Sequence, residues 1–215
     1  MQMLFTASVA LFSANEQLAQ QLWDELQTLY SQKNRAYHNF NHLGDLYKHL
    51  LEVKPLVEDW HTLVFAMFYH DAIYNIHSKD NEEKSAELAQ KRLTQISYPL
   101  DKIQLCQQHI LATKTHFNAT NNDTNLFTDA DLAILGQPEP LYNAYSSQIR
   151  KEYAFYPNLI YNMGRKKVLK SFLDMPQIYK TDYFYNAFEL QARKNLSNKK
   201  INNFYQNQSQ KYNFL

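Results

Sequence analysis

The chain has 215 residues, 45% hydrophobic and 20% charged, with a formal net charge of +1. These are globular values that exclude a disordered or fibrous chain, and the near-neutral balance gives no global attraction to nucleic acid or an acidic membrane. Only three glycines occur, Gly44, Gly136 and Gly164, so neither a phosphate-cradling loop nor a dinucleotide fingerprint can be written, and an all-α fold is predicted.

The N-terminal MQMLFTASVALF has the apolar look of a signal peptide, but no lysine or arginine precedes it and Phe12-Ser13-Ala14 is a poor cleavage site, so it reads as the start of a helix. Ser13 or Asn15 caps a helix through about Gln32, with Leu18, Leu22, Leu26 and Leu29 on one face. A second helix is predicted from Asn39 to Val53, stopping at Pro55, and a third from about Glu58 to Tyr74, apolar nearly all round as an interior helix is. Asp80 or Asn81 caps a fourth, with Glu82 and Glu83 in its first turn. Further helices are expected over 99–115, 128–135, 138–155, 164–173 and 180–201. The Asn/Thr stretch from Asn118 to Asn125 reads as a loop, and the Asn- and Lys-rich end as a tail that frays. One domain over 1–215 is expected, its core about 33–136 and its C-terminal helices about 138–201. The longest strongly apolar run, Leu63 to Tyr69, is far shorter than the roughly 20 residues a bilayer requires. Cys106 is the single cysteine, which excludes an internal disulfide and a thiolate metal cage; the expected setting is cytoplasmic.

Three features carry chemistry. His38 and His42 are four apart, on one face at the mouth of the second helix. His70-Asp71 ends the apolar third helix, where an unpaired buried carboxylate is costly and a metal ion would relieve the cost. Thr128-Asp129-Ala130-Asp131 sets two carboxylates two apart at a helix start, one facing inward while the other caps. Together His42, His70, Asp71 and Asp131 form a mixed nitrogen and oxygen shell suited to Mn, Fe, Zn, Ni or Mg, with positions left for water and substrate.

On these residues the chain resembles the HD superfamily of metal-dependent phosphohydrolases, whose signature is a histidine, an adjacent His-Asp pair and a distant aspartate. It is most similar to a group of small bacterial HD proteins of unknown substrate, through RAYHNFNH (Arg35 to His42), FYHDAIY (Phe68 to Tyr74), DNEEKSAELA (Asp80 to Ala89), ILATKTH (Ile110 to His116) and DADLAILG (Asp129 to Gly136), and further on through IRKEY (Ile149 to Tyr153), GRKKVL (Gly164 to Leu169) and ARKNL (Ala192 to Leu196). The resemblance implies an all-helical fold with one or two divalent ions between central helices, and hydrolysis of a phosphoester of a nucleotide or small phosphorylated metabolite by metal-activated water. Tyr37-His38-Asn39 followed by His42 also looks like the entrance motif of cyclic-nucleotide phosphodiesterases, which makes His38 the implied general acid and His42 a ligand. Those enzymes carry a further histidine where Ala72-Ile73-Tyr74 stands here, so cyclic nucleotide is not carried over as substrate.

Other positions have two readings each. His109, Thr113 and His116 lie on one helical stripe that either extends the site, as a second metal or phosphate position, or forms a polar rim. Glu82 either satisfies a helix start or aligns the attacking water. Arg35, Lys114, Arg150, Arg165 and Arg193 are candidate phosphate clamps, with ion pairing as the ordinary alternative. The segment RKNLSNKK (193–200) is too short to argue for nucleic acid. The expected partner is a small phosphorylated substrate, with neither nucleic acid nor membrane indicated and a homo-oligomer left open. Two other functional classes remain: a regulatory module that binds a nucleotide without cleaving it, and a di-iron oxygenase on the same fold.

Overall fold

The computed structural model describes residues 1–197 and is all-helical, with ten α-helices and two 3-10 turns and no strand among the described residues. The helices are α1 (Gln2–Ala10), α2 (Glu16–Tyr30), α3 (Phe40–Glu52), α4 (Trp60–Tyr69), α5 (Asn81–Gln95), α6 (Leu100–Ala112), α7 (Asn122–Leu132), α8 (Glu139–Glu152), α9 (Asn158–Leu173) and α10 (Asp182–Ser197). The 3-10 turns cover Lys54–Leu56 and Ala133–Gly136. No described helix is long and apolar enough to cross a membrane. The predicted run of the last helix to 201, the end of RKNLSNKK and the fraying tail lie outside the described residues.

The chain forms two compact units, which divide between Asp131 and Leu132. In the first, α4 is the hub, packed against α1, α3, α5 and α6. Its residues from Thr62 to Tyr69 are all buried, because the helix is apolar on every side and has neighbours all round. Phe5 of α1 meets the rings of Trp23, Phe65, Phe68 and Tyr69 at 5.0–6.5 Å, edge and tilted contacts that suit aromatic packing. Arg92 of α5 makes a bidentate pair with Glu25 of α2, both bonds 2.7 Å.

In the second unit α10 packs on α9 and on the Ala133–Gly136 turn. Asn195 donates to the carbonyls of Leu135 and Gln137 at 2.8 Å, and the buried Glu189 carboxylate accepts from the amides of Ile178 and Tyr179. Gly136 is required here: a Cβ on it would lie 2.5 Å from Phe188 Cβ.

Several helix bounds differ from the sequence reading, each for a tertiary or capping reason. The third predicted helix ends at Tyr69 rather than Tyr74, because its last carbonyls are taken by side chains described below. The segment read as a loop opens α7: Asn121 Oδ1 accepts from the Thr124 amide at 2.9 Å, an asparagine cap. Asp129 and Asp131 therefore lie near the end of a helix, not at its start, and neither caps it. A helix also begins six residues before the predicted 164, directly after Pro157. The N-terminal segment forms a full helix of its own, burying Phe5, Ser8 and Val9.

Candidate metal centre

The sequence delivers α4 to the site by fixing both of its ends. At the start, Asp59 caps it by accepting from the Thr62 amide at 3.1 Å, and the buried Asp123 carboxylate accepts from the amides of Glu58 and Asp59 at 3.0 and 2.8 Å. At the end, the Tyr30 hydroxyl donates to the Phe68 carbonyl at 3.0 Å. The Arg35 guanidinium donates to the carbonyls of Asp71 (2.6 Å), Ala72 (2.8 Å) and His38 (3.2 Å), with its plane over the rings of Tyr30 and Tyr74 at 5.0 and 5.4 Å. A helix end leaves orphan carbonyls; Tyr30 satisfies that of Phe68, and Arg35 holds those of Asp71 and Ala72 in the turn just past His70. The phosphate contact expected of Arg35 is thus replaced by backbone contacts, its fork being engaged on carbonyls beneath the His-Asp pair.

His42 from α3, His70 and Asp71 from the end of α4, and Asp131 from α7 converge within the first unit. His42 Nε2 is 3.2 Å from His70 Nε2 and 3.2 Å from Asp131 Oδ1; Asp71 Oδ2 is 3.1 Å from His70 Nε2 and 3.6 Å from His42 Nε2. The ligand atoms of His42, His70 and Asp131 all lie within 4.8 Å of one another. Nitrogen and oxygen ligands about 2.0–2.1 Å from a divalent ion sit roughly 3.0–3.4 Å apart around a tetrahedron or octahedron, so the observed spacing fits an ion.

The His70 ring fits as well. Its Nδ1 lies 2.9 Å from the Met67 carbonyl, which can only accept, so Nδ1 carries the proton and the Nε2 lone pair is free to face the cluster. Without a cation, the His42 and His70 Nε2 atoms could not face each other at this distance unless a proton lay between them. Accordingly, although burial opposes charge on His70, the carboxylates of Asp71 and Asp131 lift its pKa to about 9. Burial likewise works against the charged forms of Asp71 and Asp131, yet the surrounding imidazoles hold both well below the usual carboxylate range. The cluster thus holds two anionic carboxylates that demand positive charge between them. It is open on one flank: the side chains of Asp71 and Asp131 are 21% and 14% exposed, those of His42 and His70 only 4% and 1%.

Around this centre the remaining candidates separate. His38 is half-buried beside it, stacked on Tyr74 at 4.3 Å between ring centroids and edge-on to His42 at 6.0 Å. His116 lies beyond the end of α6 with φ 56°, and its Nε2 reaches Asp131 Oδ2 at 3.0 Å. The carboxylate of Asp131 is therefore shared, one oxygen toward His42 and the other toward His116. The expected stripe of His109, Thr113 and His116 does not form, since α6 ends at Ala112 before it is complete. His109 is wholly buried, with Nδ1 2.8 Å from Thr124 Oγ1, and Thr113 donates to the Ile110 carbonyl. Lys114 pairs with Glu83 and donates to the Lys79 carbonyl, and Glu82 is half-buried in the first turn of α5.

Sequence reasoning gave no role at the site to Tyr74, which stacks on His38, or to the Tyr37 ring, 4.8 Å from that of His42. Compared with known proteins, the chain matches no family model, no curated protein and no solved structure.

Proposed function

We propose that the protein is a metal-dependent phosphohydrolase that cleaves a phosphoester of a nucleotide or another small phosphorylated metabolite. The observation that carries this reading is the convergence of His42, His70, Asp71 and Asp131 at ligand spacing, with the His70 lone pair turned into the cluster and one flank open. The resemblance of these same positions to the HD signature supports it. A divalent ion held there, of the Mn, Fe, Zn, Ni or Mg class, supplies a Lewis acid that lowers the pKa of water and neutralises phosphoryl oxygens.

The chain's own residues do the rest. The Met67 carbonyl fixes the tautomer of His70, and the Arg35 clamp fixes the turn that carries Asp71. The flank where Asp71 and Asp131 are exposed admits the phosphoryl group. Hydrolysis adds water across a P–O bond, so the departing oxygen needs a proton; His38, held flat by Tyr74 at the edge of the cluster, donates it.

The test is metal content per chain by mass spectrometry, for protein purified without chelator, together with a phosphoester screen in the metal found. One or two ions per chain are expected in the native protein and none in Asp71→Ala or Asp131→Ala, with turnover lost in both. His38→Ala is expected to keep its metal while turnover falls by roughly 10²-fold or more. Full turnover by metal-free Asp71→Ala would sink the reading.

A further inference from the structure

In the second unit, α9 is held by one side only. It buries just Tyr161 and Leu169 of its sixteen residues, which at 3.6 residues per turn lie on one side of the helix. On the opposite side Leu159, Ile160 and Met163 are 72%, 56% and 67% exposed, and Phe155, in the turn just before the helix, is 79% exposed. Leu159 and Ile160 lie four and three residues before Met163, so the three share one stretch of helix surface. Exposed apolar side chains scattered singly are ordinary, whereas a contiguous group marks a contact surface.

The same face continues as positive charge. Lys166 and Lys167 lie three and four residues past Met163, both exposed, and neither is ion-paired or hydrogen-bonded among the described residues. Neighbouring cations are engaged: Arg150 on the carbonyls of Tyr153 and Tyr156 and on Asn158 Oδ1, Arg193 on Glu189 and three carbonyls, Arg165 over the Tyr145 ring at 5.2 Å, and Lys170 with Asp174. From Tyr153 to Leu173 the sequence holds four cations and no carboxylate. The face thus joins an apolar half to a basic half that nothing on its own helix balances.

We propose that the outward face of α9 docks on the surface of an anionic lipid bilayer. Its apolar N-terminal half dips into the boundary between headgroups and acyl chains, and Lys166 and Lys167 meet the headgroup charges, their apolar stems lying along the same surface. A bilayer offers hydrocarbon and negative charge in adjacent layers, which answers both halves of the face at once. A second copy of the chain answers only the apolar half, since its own α9 brings the same lysines and no carboxylate. Nucleic acid answers only the lysines and leaves the apolar side chains in water. The helix lies on the membrane, not across it, as no described helix is long and apolar enough to cross one. The surface belongs to the second unit alone and does not depend on the metal centre.

The experiment is co-sedimentation of the full chain with vesicles of phosphatidylcholine containing about 30% phosphatidylserine, beside vesicles of phosphatidylcholine alone. Saturable binding to the anionic vesicles is expected, weaker on the neutral ones and falling with added salt. Binding should drop at least about tenfold in the double variant Leu159→Glu, Met163→Glu and several-fold in Lys166→Gln, Lys167→Gln. All four side chains are exposed, and the lysine variant tests the surface even if the apolar one fails to fold. No binding by the native protein, equal binding to neutral vesicles, or binding unchanged in either variant would overturn the proposal. So would a stable dimer in sedimentation velocity that Leu159→Glu, Met163→Glu dissociates, because the face would then belong to a second copy.

Discussion

Three backbone carbonyls converge on the Arg35 guanidinium, at 2.6, 2.8 and 3.2 Å, and two of them belong to residues of the turn that carries the His-Asp pair. A lysine has a single ammonium on a flexible stem and cannot serve this geometry. Arg35→Lys should leave at least one buried carbonyl unsatisfied, costing about 1–3 kcal/mol of stability, and should loosen Asp71 and with it the metal, by roughly 10–100-fold in affinity. Urea unfolding reads the first effect and competition with a graded chelator the second; native affinity in a destabilised Arg35→Lys would mean the clamp serves folding alone. The arginines also show where the sequence ran out at this scale. Arg35, Arg150, Arg165 and Arg193 were visible as possible phosphate ligands, but whether a guanidinium meets a carbonyl or a carboxylate depends on contacts such as Arg35 with Ala72, 37 residues apart, which no local pattern encodes.

Helix starts were legible where a capping side chain stands beside an apolar periodicity, and missed at α7, whose Asn121 cap lies in an Asn/Thr stretch that reads as a loop. Asn15 and Asn39 accept from amides at the starts of α2 and α3, and both stand out beside an apolar periodicity. Helix ends were less legible, because α4 stops where Tyr30 takes the Phe68 carbonyl and Arg35 takes those of Asp71 and Ala72 just beyond it, contacts made from distant sequence. Glycine scarcity hid other ends: Ser97 and His116, with φ 57° and 56°, take the left-handed position after α5 and α6 that glycine usually marks. That same turn carries His116 to Asp131, so an element boundary decides which histidine reaches the site. His109, left behind inside α6, joins it to α7 through Thr124. Burial outweighs the charges of Asp123 and Asp59 there and depresses its pKa to about 4. The unfolded chain, with a histidine near 6.5, binds a proton between these values that the native state does not, so this contribution is intact above about pH 6.5 and is lost as pH falls toward 4. Between pH 7 and pH 5 His109 should remove about 2 kcal/mol of stability. Urea unfolding at both pH values should show His109→Asn losing that much less than the native protein; equal losses would refute it.

At the scale of the whole chain, the four residues of the candidate metal centre were legible because each belongs to a short spacing pattern and all fall before residue 132. Their closure within one unit was not, since it depends on α3, α4 and α7 meeting. The division at Asp131 makes a further consequence testable. Gly136 sits in the second unit, and a methyl there would come within 2.9 Å of Phe188 Cα and 2.7 Å of its carbonyl oxygen, backbone atoms of α10 that cannot rotate away. Gly136→Ala should therefore displace α10 from the Ala133–Gly136 turn and cost about 1–3 kcal/mol, as overpacking does. The two tryptophans, Trp23 and Trp60, both belong to the first unit, so their fluorescence follows that unit alone while far-UV dichroism follows all the helices. In urea, Gly136→Ala should lower the dichroism midpoint and leave the tryptophan midpoint in place, with metal content per chain unchanged. Coincident transitions that shift together would instead mean that the chain unfolds as one cooperative unit, and loss of metal in Gly136→Ala would mean that the geometry of the centre depends on residues beyond Asp131.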